Sequence, residues 1–220
     1  ARIEFDPLKI KHILVPEKWR FIVANSGVRA EKSGCAMEAY NVRRDESEQA
    51  LRIITHAAVE RGLIPSQSTG YKDLLKVLGE DRVISLAETV LEEILFQRFQ
   101  HVITEAVRVE TAVDLMAGKD VRGFGCLMNN SHRSLSIDYE VSSAELDELV
   151  VVCRESGAAG ARLTGAGFGG SVIMLTEQEK VEAVLEGLSQ GYYGSRGIRT
   201  DTDQSYFVAR ASAGASIITL

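Results

Sequence analysis

Residues 160–171 read Gly-Ala-Arg-Leu-Thr-Gly-Ala-Gly-Phe-Gly-Gly-Ser, and Gly165, Gly167 and Gly170 within them fit the spacing G-x-G-x-x-G. A dinucleotide site on that spacing needs a strand before it and a helix after it, so that a helix N-terminus meets the pyrophosphate. Here the order is reversed. Upstream, Leu146, Leu149, Val150 and Cys153 recur at helical spacing and Gly157 ends the pattern. Downstream, Ser171 to Leu175 reads as a strand. The lysine and hydroxyl of a Walker A loop are also missing. The glycines therefore read as a tight turn that needs φ > 0 and close backbone approach.

Outward from this turn the chain mixes both periodicities. Near the start, strands are expected at Arg2 to Phe5, Ile13 to Val15 and Trp19 to Ala24, broken by Asp6-Pro7 and Pro16-Glu17. Residues 25–39 are small and polar, a loop or short helix. Ala50, Ile53, Ile54, Ala57 and Ala58 predict a helix that Gly62 ends, and a short helix follows around Leu74 to Leu78. Val90, Leu91, Ile94 and Leu95 share one face of a long helix expected to run through Val102 and Val113 to Gly118. Residues 120–136 read as another helix. Ser142 with Glu145, and Thr176 with Glu179, have capping-box spacing. The second box would open a helix through Val181, Val184, Leu185 and Leu188. Tyr206 to Ala211 and Ile217 to Leu220 read as closing strands of an antiparallel hairpin. Together these elements predict an α+β domain of two layers.

Composition narrows the function. The 220 residues are 45% hydrophobic and 25% charged, with a net charge of −6. No Lys/Arg run stands out, which argues against a nucleic-acid partner. The apolar runs are too short for a membrane span, and no signal peptide is visible. Cys35, Cys126 and Cys153 are odd in number and widely spaced, and read as small apolar side chains in a reducing compartment. His12, His56, His101 and His132 are equally scattered, so no metal site is expected. The chain opens on Ala-Arg-Ile-Glu-Phe-Asp, a strand in mid-course, and a piece that has lost its front is the expectation.

The glycine stretch resembles the third motif of the GHMP kinases in its galactokinase form. The resemblance continues through CLMNNSHRSLSIDYEVSSAELDELV (126–150), HVITEAVRV (101–109), NSGVRAEKSG (25–34) with EAYNVRR (38–44), and ARIEFDPL (1–8). It spans essentially the whole chain, with the motifs in the family's order. Leu163 stands where methionine is common, and Ser171 where cysteine is. The spacing from Arg29 to Tyr40 is also longer than in many galactokinases.

The resemblance implies a GHMP-kinase C-terminal domain over residues 31–220, an antiparallel sheet packed against helices. Residues 1–30 would be strands left over from an N-terminal kinase domain. It also implies ATP-dependent phosphorylation of galactose to galactose 1-phosphate by the intact protein, with ATP and Mg2+. A non-catalytic sensor of sugar and nucleotide, or a kinase for N-acetylhexosamine or arabinose, are the alternatives. Tyr40 is implied as the sugar contact, a phenol that offers a ring face and a hydroxyl. Arg29 is implied near the nucleotide phosphates, and Gly165, Gly167, Gly169 and Gly170 as the phosphate-side loop. The catalytic aspartate, the phosphate loop and the metal ligands are expected upstream of Ala1. His132 reads as a packing or capping residue, and Arg43 and Arg44 as structural or ion-paired. The small-molecule partners are the sugar and ATP; a cytoplasmic monomer is expected, without nucleic acid or membrane.

Overall fold

The structure, a computed structural model, describes residues 1–5, 7–28, 35–65, 70–198 and 205–211. Strands β1 (Arg2–Phe5), β2 (Leu8–Lys11) and β3 (Trp19–Asn25) come first. Helices α1 (Cys35–Glu60), α2 (Tyr71–Leu78), α3 (Glu80–Val90), α4 (Glu93–Ala117), α5 (Val121–Ile137) and α6 (Ala144–Glu155) follow. Then come β4 (Gly160–Thr164), β5 (Ser171–Glu177), α7 (Val181–Gly187), a π-helical turn over Leu188–Tyr193, and β6 (Tyr206–Ala209).

The main sheet has the order β4-β5-β3-β6 and is antiparallel throughout. β4 and β5 pair from Gly160↔Leu175 to Thr164↔Ser171, so residues 165–170 close a hairpin. Side chains alternate across the strands. Ile22, Ala24, Ala161, Leu163, Val172 and Met174 meet α6 and the α7 region in one core. On the other face Trp19 and Leu175 pack with Met128, flanked by Phe21, Phe124 and Ile173, and Trp19 meets Phe124 edge-on at 5.1 Å. A second core is wholly helical, with Ala50, Ile54 and Ala58 of α1 packed among Leu74, Val83, Leu86, Phe99 and Ile103.

β4 is an edge strand, and α5 seals it. Gly125 and Gly160 meet backbone to backbone, and a Cβ on either would overlap the other's main chain. This approach places Asn129 and His132 over the strand. Asn129 Oδ1 accepts from the Ala161 amide at 3.0 Å, and His132 Nδ1 from the Leu163 amide at 3.3 Å. Side chains thus satisfy amides that would otherwise solicit another strand.

Several expectations shift. β3, expected among the strands of residues 1–30, lies inside the main sheet between β5 and β6. Ile13 to Val15, expected as a strand, form none; the strand that pairs with β1 is Leu8–Lys11, in register from Phe5↔Leu8 to Arg2↔Lys11. The long helix from Val90 breaks at Leu91, whose backbone is extended, and α3 and α4 pack against each other across the break. Neither Gly nor Pro marks that break. Ser143, not Ser142, caps α6, since Ser143 Oγ accepts from the Leu146 amide while the Ser142 hydroxyl goes to Asp147. Thr176 is fully buried in β5, which runs on to Glu177, and so caps nothing. Cys153 is buried but Cys126 is exposed. Residues 217–220 lie outside the described residues.

Two predictions follow from this packing. Gly160→Ala is expected to destabilise the domain by about 3 kcal/mol through overpacking against α5. A thermal melt indistinguishable from the parent's would refute the close contact. The second concerns His101 on α4, which stacks on Tyr139 at 4.5 Å. Ser134 gives its only hydrogen to Asp138, so His101 Nδ1 is the donor in its 2.9 Å bond to Ser134. Burial pushes this imidazole from 6.5 down to about 4. The unfolded chain then takes up the proton first, and stability present above pH 6.5 is lost as pH falls toward 4. The loss should reach about 3 kcal/mol, and His101→Phe should flatten that part of a stability–pH profile. A profile of unchanged slope in the variant would sink this assignment.

Candidate functional site

Among the described residues, the glycine turn has the densest run of positive φ. Gly165, Gly167, Phe168, Gly169 and Gly170 all have positive φ, between 58° and 120°. Gly167 also presses on the Val141 carbonyl, where any Cβ would overlap. Only glycine satisfies both conditions there. The turn is tied down on two sides. The Phe168 amide donates to Val141 O at 2.7 Å. On the other side the Ser26 amide donates to Gly170 O, and the Gly170 amide to Val28 O, both at 2.8 Å. The 25–28 loop is shaped locally, with the Gly27 amide donating to Asn25 Oδ1 at 2.7 Å and the Val28 amide to Ser26 Oγ at 3.3 Å.

Among the described residues, the amides of Ala166, Gly167 and Gly169 donate to no protein acceptor. Successive amides in a turn of positive φ form a concavity suited to anionic oxygens. That is the chemistry the turn offers: neutral donors on a rigid frame.

Val141 connects the turn to α1. Its neighbour Glu140, also at positive φ, accepts from Arg43 of α1 at 3.0 Å and from Arg98 of α4. Arg98 is 1% exposed and donates as well to Glu46 at 2.8 Å and to the Asp138 carbonyl. A buried guanidinium shared by two carboxylates and a carbonyl fixes α1, α4 and the 138–141 segment in one geometry. Tyr40 lies one helical turn before Arg43, 43% exposed, and its hydroxyl has no partner among the described residues. Through Arg43, Glu140 and Val141 the glycine turn is thus tied to α1, the helix that carries Tyr40. Arg29 lies outside the described residues, though Val28 before it is bonded to Gly170. Arg43 and Arg44 are ion-paired, with Glu46 and Glu140 and with Asp45 and Glu48 respectively.

His132 is held from both ring nitrogens. Nδ1 accepts from Leu163, so the proton sits on Nε2 and points at Asp147, 3.2 Å away. Burial pushes its imidazole down against the pull of Asp147. Below it, Glu105 accepts from Arg108, Ser131 and Arg162; against the upward push of burial, the Arg162 charge and these hydrogen bonds hold its carboxyl below the usual range. Both groups brace α4, α5 and β4. Sequence reading missed Val141, Asn129 and Arg98 as structural members. The i, i+4, i+7 spacing of Gly125, Asn129 and His132 was the available signal for an edge-sealing helix face.

Residues 111–194 match the family described as GHMP kinases C terminal. In sequence the chain is similar to galactokinases. It is 36% identical over 219 residues to that of Chloroflexus aggregans, covering 98% of this chain and 51% of the relative. It is 30% identical over 218 residues to that of Fusobacterium nucleatum, covering 97% of this chain and 49% of the relative. The chain thus spans about half the length of the curated relatives it matches. Among solved structures, a Lactococcus lactis galactokinase complexed with galactose superposes with a TM-score of 0.67 at 28% identity, over 88% of this chain and 45% of that one. The L. major mevalonate kinase shares the fold at 20% identity and a TM-score of 0.52, over 94% of this chain and 47% of that one. Fold, family match and relatives agree: residues 111–194 match the GHMP kinases C terminal family, and the chain as a whole is similar in sequence to galactokinases.

Proposed function

We propose that the intact protein phosphorylates galactose with ATP, and that this chain supplies its sugar-side and phosphate-side supports. The observation that carries the reading is the glycine turn, whose unengaged amides sit on a frame fixed to the 25–28 loop and to Val141. Phosphoryl transfer is chiefly a matter of positioning and electrostatics, and a rigid set of amide donors supplies both without adding a titratable group. Tyr40, exposed and without a hydroxyl partner among the described residues, would bond a sugar hydroxyl.

Among the described residues no group of carboxylates, histidines or cysteines is placed to hold a metal. Magnesium, with the base that takes the hydroxyl proton, is assigned to the half that this chain does not span. The β1–β2 hairpin fits such a partition. It forms its own small sheet and is held to the helices by ion pairs, Arg2–Glu110 at 2.7 Å and Glu4–Lys72 at 3.3 Å. Ile3, Leu8 and Ile10 remain exposed on it. Among the described residues no helix is long and apolar enough to cross a membrane; the cytoplasm is the compartment we propose, from the similarity to galactokinases.

The test is steady-state kinetics. The 220-residue chain alone should give no turnover in a coupled assay with galactose, ATP and magnesium; clear turnover would overturn the division of labour. In the intact enzyme, Tyr40→Phe should raise the galactose KM about fivefold, the scale of one neutral hydrogen bond, and leave the ATP KM alone. An unchanged galactose KM would remove Tyr40 from the sugar site. Gly165 has φ +90° and open space around it, so Gly165→Ala strains the turn without a clash. It should raise the ATP KM several-fold with little change in melting. Normal ATP kinetics in a variant that only melts earlier would make the segment a plain turn.

A further inference from the structure

The 25–28 loop that holds Gly170 is itself held from behind. After α7 the chain widens into the π-helical turn Leu188–Tyr193, then tightens over Gly194–Arg196 and stops at Gly197, with φ 63°. Gly187 and Gly191 let this stretch lie directly on α6. A Cβ at Gly187 would overlap Ser156, and one at Gly191 would sit 3.2 Å from Val152. Such widened turns are uncommon and concentrate where a particular side-chain placement is required. Here the turn buries two consecutive tyrosines: Tyr192 is 0% and Tyr193 1% exposed.

Their rings are locked. Tyr192 and Tyr193 meet edge-on at 5.2 Å, and Tyr193 leans on Tyr206 of β6 at 5.5 Å. Arg196, paired with Glu148 of α6, covers the Tyr192 face at 4.0 Å. Their hydroxyls end on main-chain carbonyls where the sheet runs out. Tyr192 donates to Ser26 O at 2.8 Å. Tyr193 Oη lies 2.7 Å from both Asn25 O and Ser205 O, sharing one proton between them. The β3–β5 ladder ends at Asn25↔Ser171, so the Ser26 carbonyl has no strand partner. Burial pushes both phenols up, so they stay protonated donors through the neutral range.

We infer that Tyr192 and Tyr193 are positioning residues for the nucleotide side of the reaction, acting through the 25–28 loop on the glycine turn. The path is short. Tyr192 Oη fixes Ser26 O, the Ser26 amide fixes Gly170 O, and Val28 O takes the Gly170 amide. Gly170 is thus gripped from both of its polar atoms by a loop that the phenols hold from the opposite side. Losing a hydroxyl leaves a carbonyl unsatisfied and frees the loop, while the phenyl ring keeps the core filled. This inference rests on the kinase reading of the turn.

The test uses Tyr192→Phe and Tyr193→Phe in the intact enzyme, with Gly165→Ala as a reference for the turn. Amide exchange under native conditions should quicken about tenfold at Ser26 and Gly170 and stay unchanged in α4 and α5. The ATP KM should rise about fivefold, with the galactose KM within about twofold of the parent. Exchange that quickens everywhere together, with normal ATP kinetics, would make these tyrosines ordinary core residues and overturn the inference. Local loosening with normal ATP kinetics, while Gly165→Ala still impairs ATP use, would also overturn it but leave the proposed function standing. If neither kind of variant touches ATP use, the kinase reading falls and the inference with it. Should Tyr193→Phe fail to fold, Tyr192→Phe decides alone, since its phenol serves only the Ser26 carbonyl.

Discussion

Two glycines in backbone contact hold this architecture together. Because Gly125 of α5 and Gly160 of β4 carry no Cβ, a helix lies along the edge of a sheet at a distance that side chains can bridge with single hydrogen bonds. Everything downstream depends on that separation. Asn129 and His132 reach the Ala161 and Leu163 amides only because the main chains are so near. Once β4 is fixed, β5 is registered against it, and the turn between them is placed. The same helix carries Phe124 and Met128 to the second face of the sheet, so one element seals an edge and fills a core.

The segment between α5 and α6 carries the frame to the glycine turn. Asp138 accepts from Ser134 and, through its carbonyl, from Arg98; Tyr139 stacks on His101; Glu140 gathers Arg43 and Arg98; and Val141 meets Gly167 and Phe168. Four consecutive residues thus tie three helices to one turn. A buried guanidinium such as Arg98 is tolerated because its donors find acceptors of fixed position, and removing a partner would leave an uncompensated charge. Rigidity at the turn is therefore inherited from polar contacts some distance away, on α1 and α4.

Much of this was legible in the sequence. A strand after the glycine turn, where a Rossmann loop needs a helix, excluded that loop, although β4 and not a helix stands directly before the turn; β5 and α6 stand where periodicity put them. The turn's positive φ values follow from its glycines, although Phe168, also at positive φ, could not be foreseen. β4 was harder to see, because Gly160 and Arg162 interrupt any apolar alternation and the strand is defined by its neighbours. The break between α3 and α4 has no local marker and comes from packing. The capping serine was misplaced by one residue because Asp147 competes for Ser142. Sequence reading gave Tyr192 and Tyr193 no role; their hydroxyls reach Ser26 and Asn25, 166 and 168 positions earlier in the chain. No local pattern encodes such a contact.

The strand order β4-β5-β3-β6 also fixes a timetable. β3 sits in the middle of the sheet, yet it is made first and its neighbours last: Arg20 and its partner Gln178 are 158 residues apart. At about 5–20 residues per second, a ribosome leaves β3 without its partners for on the order of ten seconds. Helices α1 to α6 emerge in that interval, and α1 to α4, which share a core of their own, can fold at once. Trp19 and Ile22 meanwhile remain unpaired apolar side chains on a nascent strand. An inner strand of the finished sheet is therefore a segment that a chaperone would shield during synthesis.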